Sequence, residues 1–322
     1  MRLGLLTVVF NHLGFEEALD RVVAEGLDTV ELGTGNYPGN SHCDPDSLLQ
    51  EATALARFRK QLASRGLRIS ALACHGNPLH PNPTIAREHH RVFEQSLRLA
   101  QELEVDRITL FSGCPGGLDG GTSPNWVTCA WPPEYQEALD WQWREMVIPY
   151  WQEQAALAKK HGVRLCFEMH PGFVVYNPAS LLKLRRAAGD SVGANFDPSH
   201  LFWQGIDVIE AVRLLGTEGA IFHVHAKDTG FNDSLVRKHG VLDTTPLDRV
   251  GDRSWIFRTV GYGHDQLFWR TFVSVLREVG YDDVLSIEHE DALASPEQGV
   301  SRAVEFLANS VLTEPPGQAW WA

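Results

Sequence analysis

The sequence contains no stretch of about 18 apolar residues, no CxxC pair and no run of Lys and Arg. The first absence argues against a membrane-spanning helix. The apolar opening MRLGLLTVVF is too short to span a bilayer and meets polar, chain-turning residues at once, so it reads as a first strand in preference to a signal peptide. The five cysteines, Cys43, Cys74, Cys114, Cys129 and Cys166, are odd in number and scattered. They argue against a disulfide framework or a zinc ribbon and predict reduced thiols in a cytoplasmic protein. Positive charge is also short: 28 Lys plus Arg against 41 Asp plus Glu leave a formal charge of -13. That balance repels a phosphate backbone and predicts no nucleic-acid partner, just as the lack of a long apolar run predicts no membrane.

What is present is ordinary globular composition, 43% hydrophobic and 21% charged over 322 residues, enough for one large core. The expectation is a single domain over 1–322 with a tail from about 313. Short β-branched runs alternate with longer helical patterns, the signature of a parallel sheet wrapped by helices. The runs are RLGLLTVVF from Arg2, TVELGTG from Thr29, RISALACHG from Arg68, RITLFSGC from Arg107, RLCFEMHP from Arg164, VGANFDPSH from Val192, AIFHVHAKD from Ala220 and DVLSIEHE from Asp283. Eight strands close a barrel, so the fold class is α/β, a (β/α)8 TIM barrel. Segments such as FEEALDRVVAEG, LLQEATALARFRKQLASRG and YWQEQAALAKKHG read as crossover helices, with Gly26, Gly66, Gly162 and Gly280 at helix ends. Long connections follow strand four (Ser112 to about Glu134) and strand seven (Thr229 to about His264), and both are expected to wall a substrate site. The terminal Trp320 and Trp321 are expected to dock on the barrel or on a neighbouring subunit.

In this fold the functional groups sit at strand C-terminal ends. Strands five to eight each supply one polar residue there: Glu168 in RLCFEMHP, Asp197 in NFDPSH, His225 in HVHAKD and Glu288 in SIEHE. Three buried carboxylates require positive charge, because an isolated ion in low dielectric carries a large desolvation penalty. One divalent metal ion is the simplest source. An oxygen-rich set with one imidazole favours Mn²⁺, with Mg²⁺, Co²⁺ or Zn²⁺ as other choices.

Those motifs, with GYGHD at Gly261 to Asp265, resemble the xylose isomerase-like superfamily of sugar isomerases and epimerases, which also includes the family-2 AP endonucleases. The resemblance covers nearly the whole chain and is strongest from Arg164 to Leu307. It implies metal ligation by Glu168, Asp197, His225 and Glu288, acid/base roles for Glu168 and Glu288, and a catalytic, substrate-contacting role for His200 in DPSH. The implied activity is isomerisation or epimerisation of a ketose or keto-sugar by proton transfer through a metal-stabilised enediolate. The sequence is similar as well to lyases and deglycosidases of 3-keto-glycosides, which would use the same enolising site for elimination. A non-catalytic sugar-binding subunit is a third reading.

Departures from the family are specific. The ketose epimerases carry a second Glu where this chain has Val174 and an Arg where it has Phe231. The endonucleases bind three zinc ions; His75 matches one extra ligand, but Ser112 stands where a His is needed and the Asp-x-His after strand seven is absent. The expected partner is therefore a small sugar substrate, with a homo- or hetero-oligomer left open. Further candidates for the substrate site are His75, Asn77, Lys227 and Trp203, the last with Trp255 and Trp269 as either a sugar-facing wall or core. Lys227 is read either as the donor to a developing alkoxide or as a salt-bridge partner of Asp228, Glu290 or Asp291. His170 and His223 are either orienting residues or plain barrel histidines, and Glu290 is the competitor of Glu288.

Overall fold

Ten strands, eight of them mostly apolar and largely buried, are seen in a computed structural model that describes residues 1–321. In chain order these are β1 (Arg2–Leu6), β2 (Thr29–Gly33), β3 (Arg68–Ala73), β4 (Arg107–Leu110), β5 (Arg164–Glu168), β6 (Val192–Phe196), β7 (Ile221–Ala226), β8 (Asp228–Phe231), β9 (Trp255–Arg258) and β10 (Val284–Ile287). All but β8 and β9 are parallel and close into one barrel in the order β1-β10-β7-β6-β5-β4-β3-β2. One main helix follows each barrel strand: Phe15–Ala24, Ala52–Ala63, Pro83–Glu102, Ile148–Lys160, Pro178–Ala188, Val208–Thr217, Gln266–Glu278 and Pro296–Ala308. The chain is thus a single-domain TIM barrel. Among the described residues no helix is long and apolar enough to cross a membrane, and all five cysteines are free.

Local chemistry explains the joints. Asn82, Asn177 and Ser295 cap their helices with a side-chain oxygen, and each is followed by a proline whose missing N–H costs nothing in the first turn. Gly26, Gly66, Gly162 and Gly280 take φ of 78°, 67°, 70° and 89°. The next residue in each case returns its N–H to a carbonyl five residues back, as in Leu27 to Val22 and Val163 to Ala158. These turns deliver the chain to the barrel floor, where β1, β3, β4 and β5 each begin with an arginine. Arg2 pairs with Asp28 (2.5 Å), Arg68 and Arg107 with Asp283 (3.0 and 2.5 Å) and Arg164 with Asp106 (2.5 Å).

Several sequence expectations need correction. The first strand stops at Leu6, and Thr7–Phe10 is a 3-10 turn. The helix expected across LLQEATALARFRKQLASRG is two helices, Pro45–Gln50 and Ala52–Ala63, because Glu51 is extended (φ −126°, ψ 109°). Between β4 and β5, the helix Pro133–Trp141 runs through a π-helical stretch, Gln142–Val147, into Ile148–Lys160. Pro149 has no N–H to return to the preceding turn, which accounts for the widened coil before it. Trp320 and Trp321 do not dock on the barrel: they are 87% and 74% exposed and pack edge to face on one another at 5.6 Å.

The loop after strand seven is not irregular wall. It carries the antiparallel ribbon β8/β9 and a helix, Asp233–His239, folded over the barrel mouth. Asp228 anchors it. This fully buried carboxylate accepts N–H groups from Gly261, Gly263 and His264 (3.0, 3.1 and 2.9 Å), the ring N–H of His264 (2.7 Å) and the indole of Trp269 (3.4 Å). The GYGHD motif is therefore a turn wound around one carboxylate. A Cβ on Gly263 would lie 2.2 Å from the Thr229 carbonyl oxygen and 2.5 Å from Asp228 Oδ1. Gly263→Ala should cost about 1–3 kcal/mol as an overpacked site, read as an earlier denaturant midpoint. An unchanged midpoint would contradict the tight wrap.

Candidate metal centre and active site

The strand ends at the open face bring the four candidate ligands expected from the sequence together. Glu168 ends β5, Asp197 follows β6, His225 lies in β7 and Glu288 follows β10. One ligand atom from each of the four lies within 4.8 Å of those of the other three. Glu168, Asp197 and His225 are buried, while the Glu288 side chain keeps 15% of its surface. Asp197 Oδ1 accepts the Ser199 N–H (2.8 Å), but Asp197 Oδ2 is buried among the cluster and accepts no hydrogen bond. A buried carboxylate oxygen with no donor is costly unless a cation faces it. The donor set, three carboxylates and one imidazole, suits a divalent ion of the Mn²⁺, Mg²⁺ or Zn²⁺ type, so the residues present fit such a group.

Around them sits a ring of cations and imidazoles. His200 Nε2 lies 3.1 Å from Glu168 Oε1 and 3.3 Å from Asp197 Oδ2, and His75 Nε2 lies 3.2 Å from Glu168 Oε2. Lys227 is buried, 3.2 Å from Glu288 and 2.5 Å from Glu290, with its ammonium 4.2 Å from the Phe257 ring centroid. Phe257 on β9 also meets the His200 ring edge-on at 5.4 Å. The ribbon therefore supplies the aromatic cover of the site, as expected for the loop after strand seven.

These contacts set the charges. Burial alone would raise Glu168, but the rings of His200, His225 and His75 close around its carboxylate and hold it well below the usual carboxylate range. Burial is likewise overcome at Glu288, where Lys227 and His225 bring it to about 2. At Asp197 burial wins and pushes the carboxyl up to about 6. His225 is opposed by burial yet raised well above its ordinary value by Glu31 and Glu288, and Lys227 is raised against burial by Glu288 and Glu290. Lys227 is accordingly a fixed positive charge and a poor proton donor, which revises its reading as the acid for an alkoxide.

One residue of this machinery escaped the sequence reading. Glu31 on β2 is completely buried at the barrel axis and meets His225 Nε2 at 2.9 Å, accepting also from Thr109 Oγ1 (2.6 Å) and Ser286 Oγ (2.7 Å). Burial would raise it, but the charges of His225 and His223 keep it well below the carboxylate range. The signal was in the sequence: TVELG is an apolar strand interrupted by an acid, as in the four ligand strands. Asn195 was missed too. Its Nδ2 reaches Glu168 Oε2 (3.1 Å) and His225 Nδ1 (3.1 Å), and its Oδ1 faces His223 Nδ1 (2.9 Å).

The remaining candidates separate cleanly. His223 lies one layer deeper, bonded to Asn195 and Ser70, and burial depresses it to about 4. His170 lies with its ring centroid 4.1 Å from that of His200, tilted by 53°, with Nδ1 on the Pro171 carbonyl (2.6 Å), and burial depresses it to about 3. Asn77 does not line the site; it bonds both N–H and C=O of Cys114 and braces the loop after β4. Trp203 stacks on Trp255 at 4.6 Å, one ring further out than Phe257, and Trp269 is core. Glu290 is half exposed and pairs with Lys227, leaving Glu288 as the carboxylate in the cluster. Lys227 does not pair with Asp228 or Asp291: the first holds the GYGHD turn, and the second holds Thr259 (2.8 Å) and Arg258 (3.1 Å). Val174 is buried and apolar, and Phe231 is 41% exposed at the end of β8.

A proton and a cation compete for this cluster. Because His225 is raised and Asp197 sits near 6, divalent-metal affinity should rise with pH through the neutral range and fall further below about 6. Calorimetry in buffers of different ionisation enthalpy should count at least one proton released on binding near pH 7. Asp197→Asn should weaken affinity by more than about 10–100-fold, the range typical for loss of an outer partner. Affinity independent of pH and unaffected by Asp197→Asn would contradict this ligand set.

The fold and this geometry can be set beside known proteins. A Bacillus subtilis protein of uncharacterised function, YfiH, is 37% identical over 314 residues, 97% of this chain and 99% of its own. An inosose dehydratase of Clostridium perfringens is 28% identical over 159 residues, covering 47% of this chain and 50% of its own. Among solved structures, the probable 3-DHS dehydratase AsbF of Bacillus anthracis superposes with TM-score 0.68 at 17% identity, over 96% of this chain and 99% of its own. A D-psicose 3-epimerase superposes with TM-score 0.62 at 14% identity over 97% and 99% of the two chains. The IolI protein, solved with a zinc atom, does so with TM-score 0.62 at 17% identity over 97% and 98%. The model of the xylose isomerase-like TIM barrel family matches residues 19–310, and the chain belongs to that family.

Proposed function

We propose that this protein is a divalent-metal-dependent isomerase or epimerase that moves a proton at the carbon beside the carbonyl of a ketose or keto-sugar. The observation that carries the reading is the buried convergence of Glu168, Asp197, His225 and Glu288, with Asp197 Oδ2 accepting no hydrogen bond. When bound, the cation would supply positive charge against the carbonyl oxygen and the enediolate derived from it. Manganese is the first choice on ligand type, and zinc in IolI is the alternative that a structural neighbour offers.

The chain's own residues divide the remaining work. Glu168 and Glu288 are both held ionised, the state needed to accept a carbon-bound proton. Glu288 retains side-chain exposure where Glu168 is covered, so it faces arriving substrate. His200, between Glu168 and Asp197, is placed to bind and polarise a substrate oxygen. Lys227 adds a fixed charge beside Glu288, and Phe257 excludes water from above. His75 completes the pocket wall on the far side of Glu168.

A second reading, elimination β to the carbonyl, is favoured by a specific observation: 28% identity across 47% of the chain to an enzyme named inosose dehydratase. It starts from the same proton abstraction and ends with departure of water or of a glycosidic group. Incubating the metal-loaded protein with a panel of ketoses, keto-cyclitols and 3-keto-glycosides in D₂O separates the two. One deuterium gained at the carbon beside the carbonyl with the skeleton intact marks isomerisation or epimerisation; loss of water or of the aglycone marks the lyase. Glu288→Gln should slow either outcome by about 10²-fold or more, the usual worth of a positioned acid–base group. Absence of exchange and product across the panel would overturn the proposal.

A further inference from the structure

We infer that Glu31 is a positioning residue: it fixes the protonation pattern of His225 so that Nδ1, and not Nε2, is the nitrogen offered to the metal. The inference rests on the metal reading above and adds a residue that this reading does not contain. The argument is one of donors and acceptors. His225 Nε2 faces Glu31 Oε2 at 2.9 Å, and an ionised carboxylate can only accept, so Nε2 carries a proton. Nδ1 points the other way, 3.1 Å from Glu288 Oε2 and 3.4 Å from Glu168 Oε2, into the cluster that contains the orphan Asp197 Oδ2. Nδ1, which also lies 3.1 Å from the donor Nδ2 of Asn195, is thus the nitrogen whose lone pair would face a cation, and a carboxylate behind the imidazole raises its basicity as a ligand.

Glu31 can do this because it is itself immobilised. Its carboxylate receives Thr109 Oγ1 from β4 and Ser286 Oγ from β10, so with His225 on β7 and Glu31 on β2 the contact set spans four barrel strands. Both hydroxyls donate to it, leaving the lone pair toward His225 as the one that sets the ring. The side chain has no exposed surface, so substrate cannot reach it, and its action on the reaction passes through His225. Burying a carboxylate under the metal layer at the barrel axis is expensive, and an apolar residue would fill the space without that cost. The compensation lies in a histidine held in one tautomer and one orientation.

The test is zinc affinity of the full-length protein, measured by competition with a chromophoric chelator, together with long-range ¹H–¹⁵N spectra of the His225 ring. In the wild type the spectra should show a protonated Nε2 and a zinc-shifted Nδ1. Glu31→Gln, whose amide can also present N–H to the ring, should lower zinc affinity about 10–100-fold and remove the single Nε2–H pattern. Should that variant not fold, Ser286→Ala and Thr109→Val each remove one donor to Glu31 and should lower affinity several-fold while leaving the ligands in place. A Glu31→Gln protein, or both donor variants, with wild-type zinc affinity and an unchanged His225 spectrum would overturn the positioning role while leaving the metal site standing. A wild type that binds no zinc, manganese or cobalt would overturn both.

Discussion

An ion cannot be buried in a barrel without a partner, and that constraint organises this molecule from its axis outward. Glu31, Glu168 and Asp197 lie buried in one interior, with Glu288 at its edge. Within the chain they are answered by His225, His200, His75 and Lys227 and by the hydroxyls of Thr109 and Ser286. The accounting is nearly complete, and the remainder is informative: Asp197 Oδ2 accepts no hydrogen bond, with His200 at 3.3 Å and Lys227 at 4.0 Å as its neighbouring cations, and burial pushes its carboxyl up to about 6. A divalent cation at that point would neutralise the excess charge and satisfy the oxygen. The same acids would then become ligands and bases, and the feature most costly to fold would be the one the proposed chemistry uses.

The two ends of the barrel divide the labour. At the floor, arginines that open four strands meet aspartates that precede other strands: Arg2–Asp28 and Arg164–Asp106 tie neighbouring strands, while Arg68 and Arg107 reach across the floor to Asp283 before β10. At the mouth the charges converge inward instead, and the β8/β9 ribbon closes over them. The ribbon is held by Asp228, one residue after Lys227, so the anchor of the cover and the cation of the site share a short stretch of chain. Phe257 then reaches back from β9 to Lys227 and His200. Fold and site are therefore coupled through residues 225 to 228, where ligand, ammonium and anchor follow one another.

The barrel was legible in the sequence because parallel strands buried on both faces read as short apolar runs, and helix ends were marked by glycines that take positive φ. The carboxylate–histidine cluster was legible for a related reason: Glu168, Asp197, His225 and Glu288 interrupt runs that are otherwise apolar. Glu31 obeys the same rule, but it lies on β2, outside the stretch from Arg164 to Leu307 where the family resemblance is strongest. The ribbon was hidden because WIFR gives only four residues of pattern, too few to separate a strand from loop. The extended Glu51 inside a helical pattern, the place of Trp203 behind Trp255, and the choice of Glu288 and Glu290 over Asp228 and Asp291 as partners of Lys227 depend on tertiary packing that no local periodicity encodes.

The central claim is a single cation held by four side chains at the barrel mouth. Anomalous diffraction from crystals equilibrated with Mn²⁺ or Zn²⁺ tests it most directly. The account predicts one strong peak bounded by Glu168, Asp197, Glu288 and Nδ1 of His225, with Nε2 of His225 still on Glu31. A cluster without a peak, or a metal bound elsewhere while these four side chains keep their mutual hydrogen bonds, would contradict it.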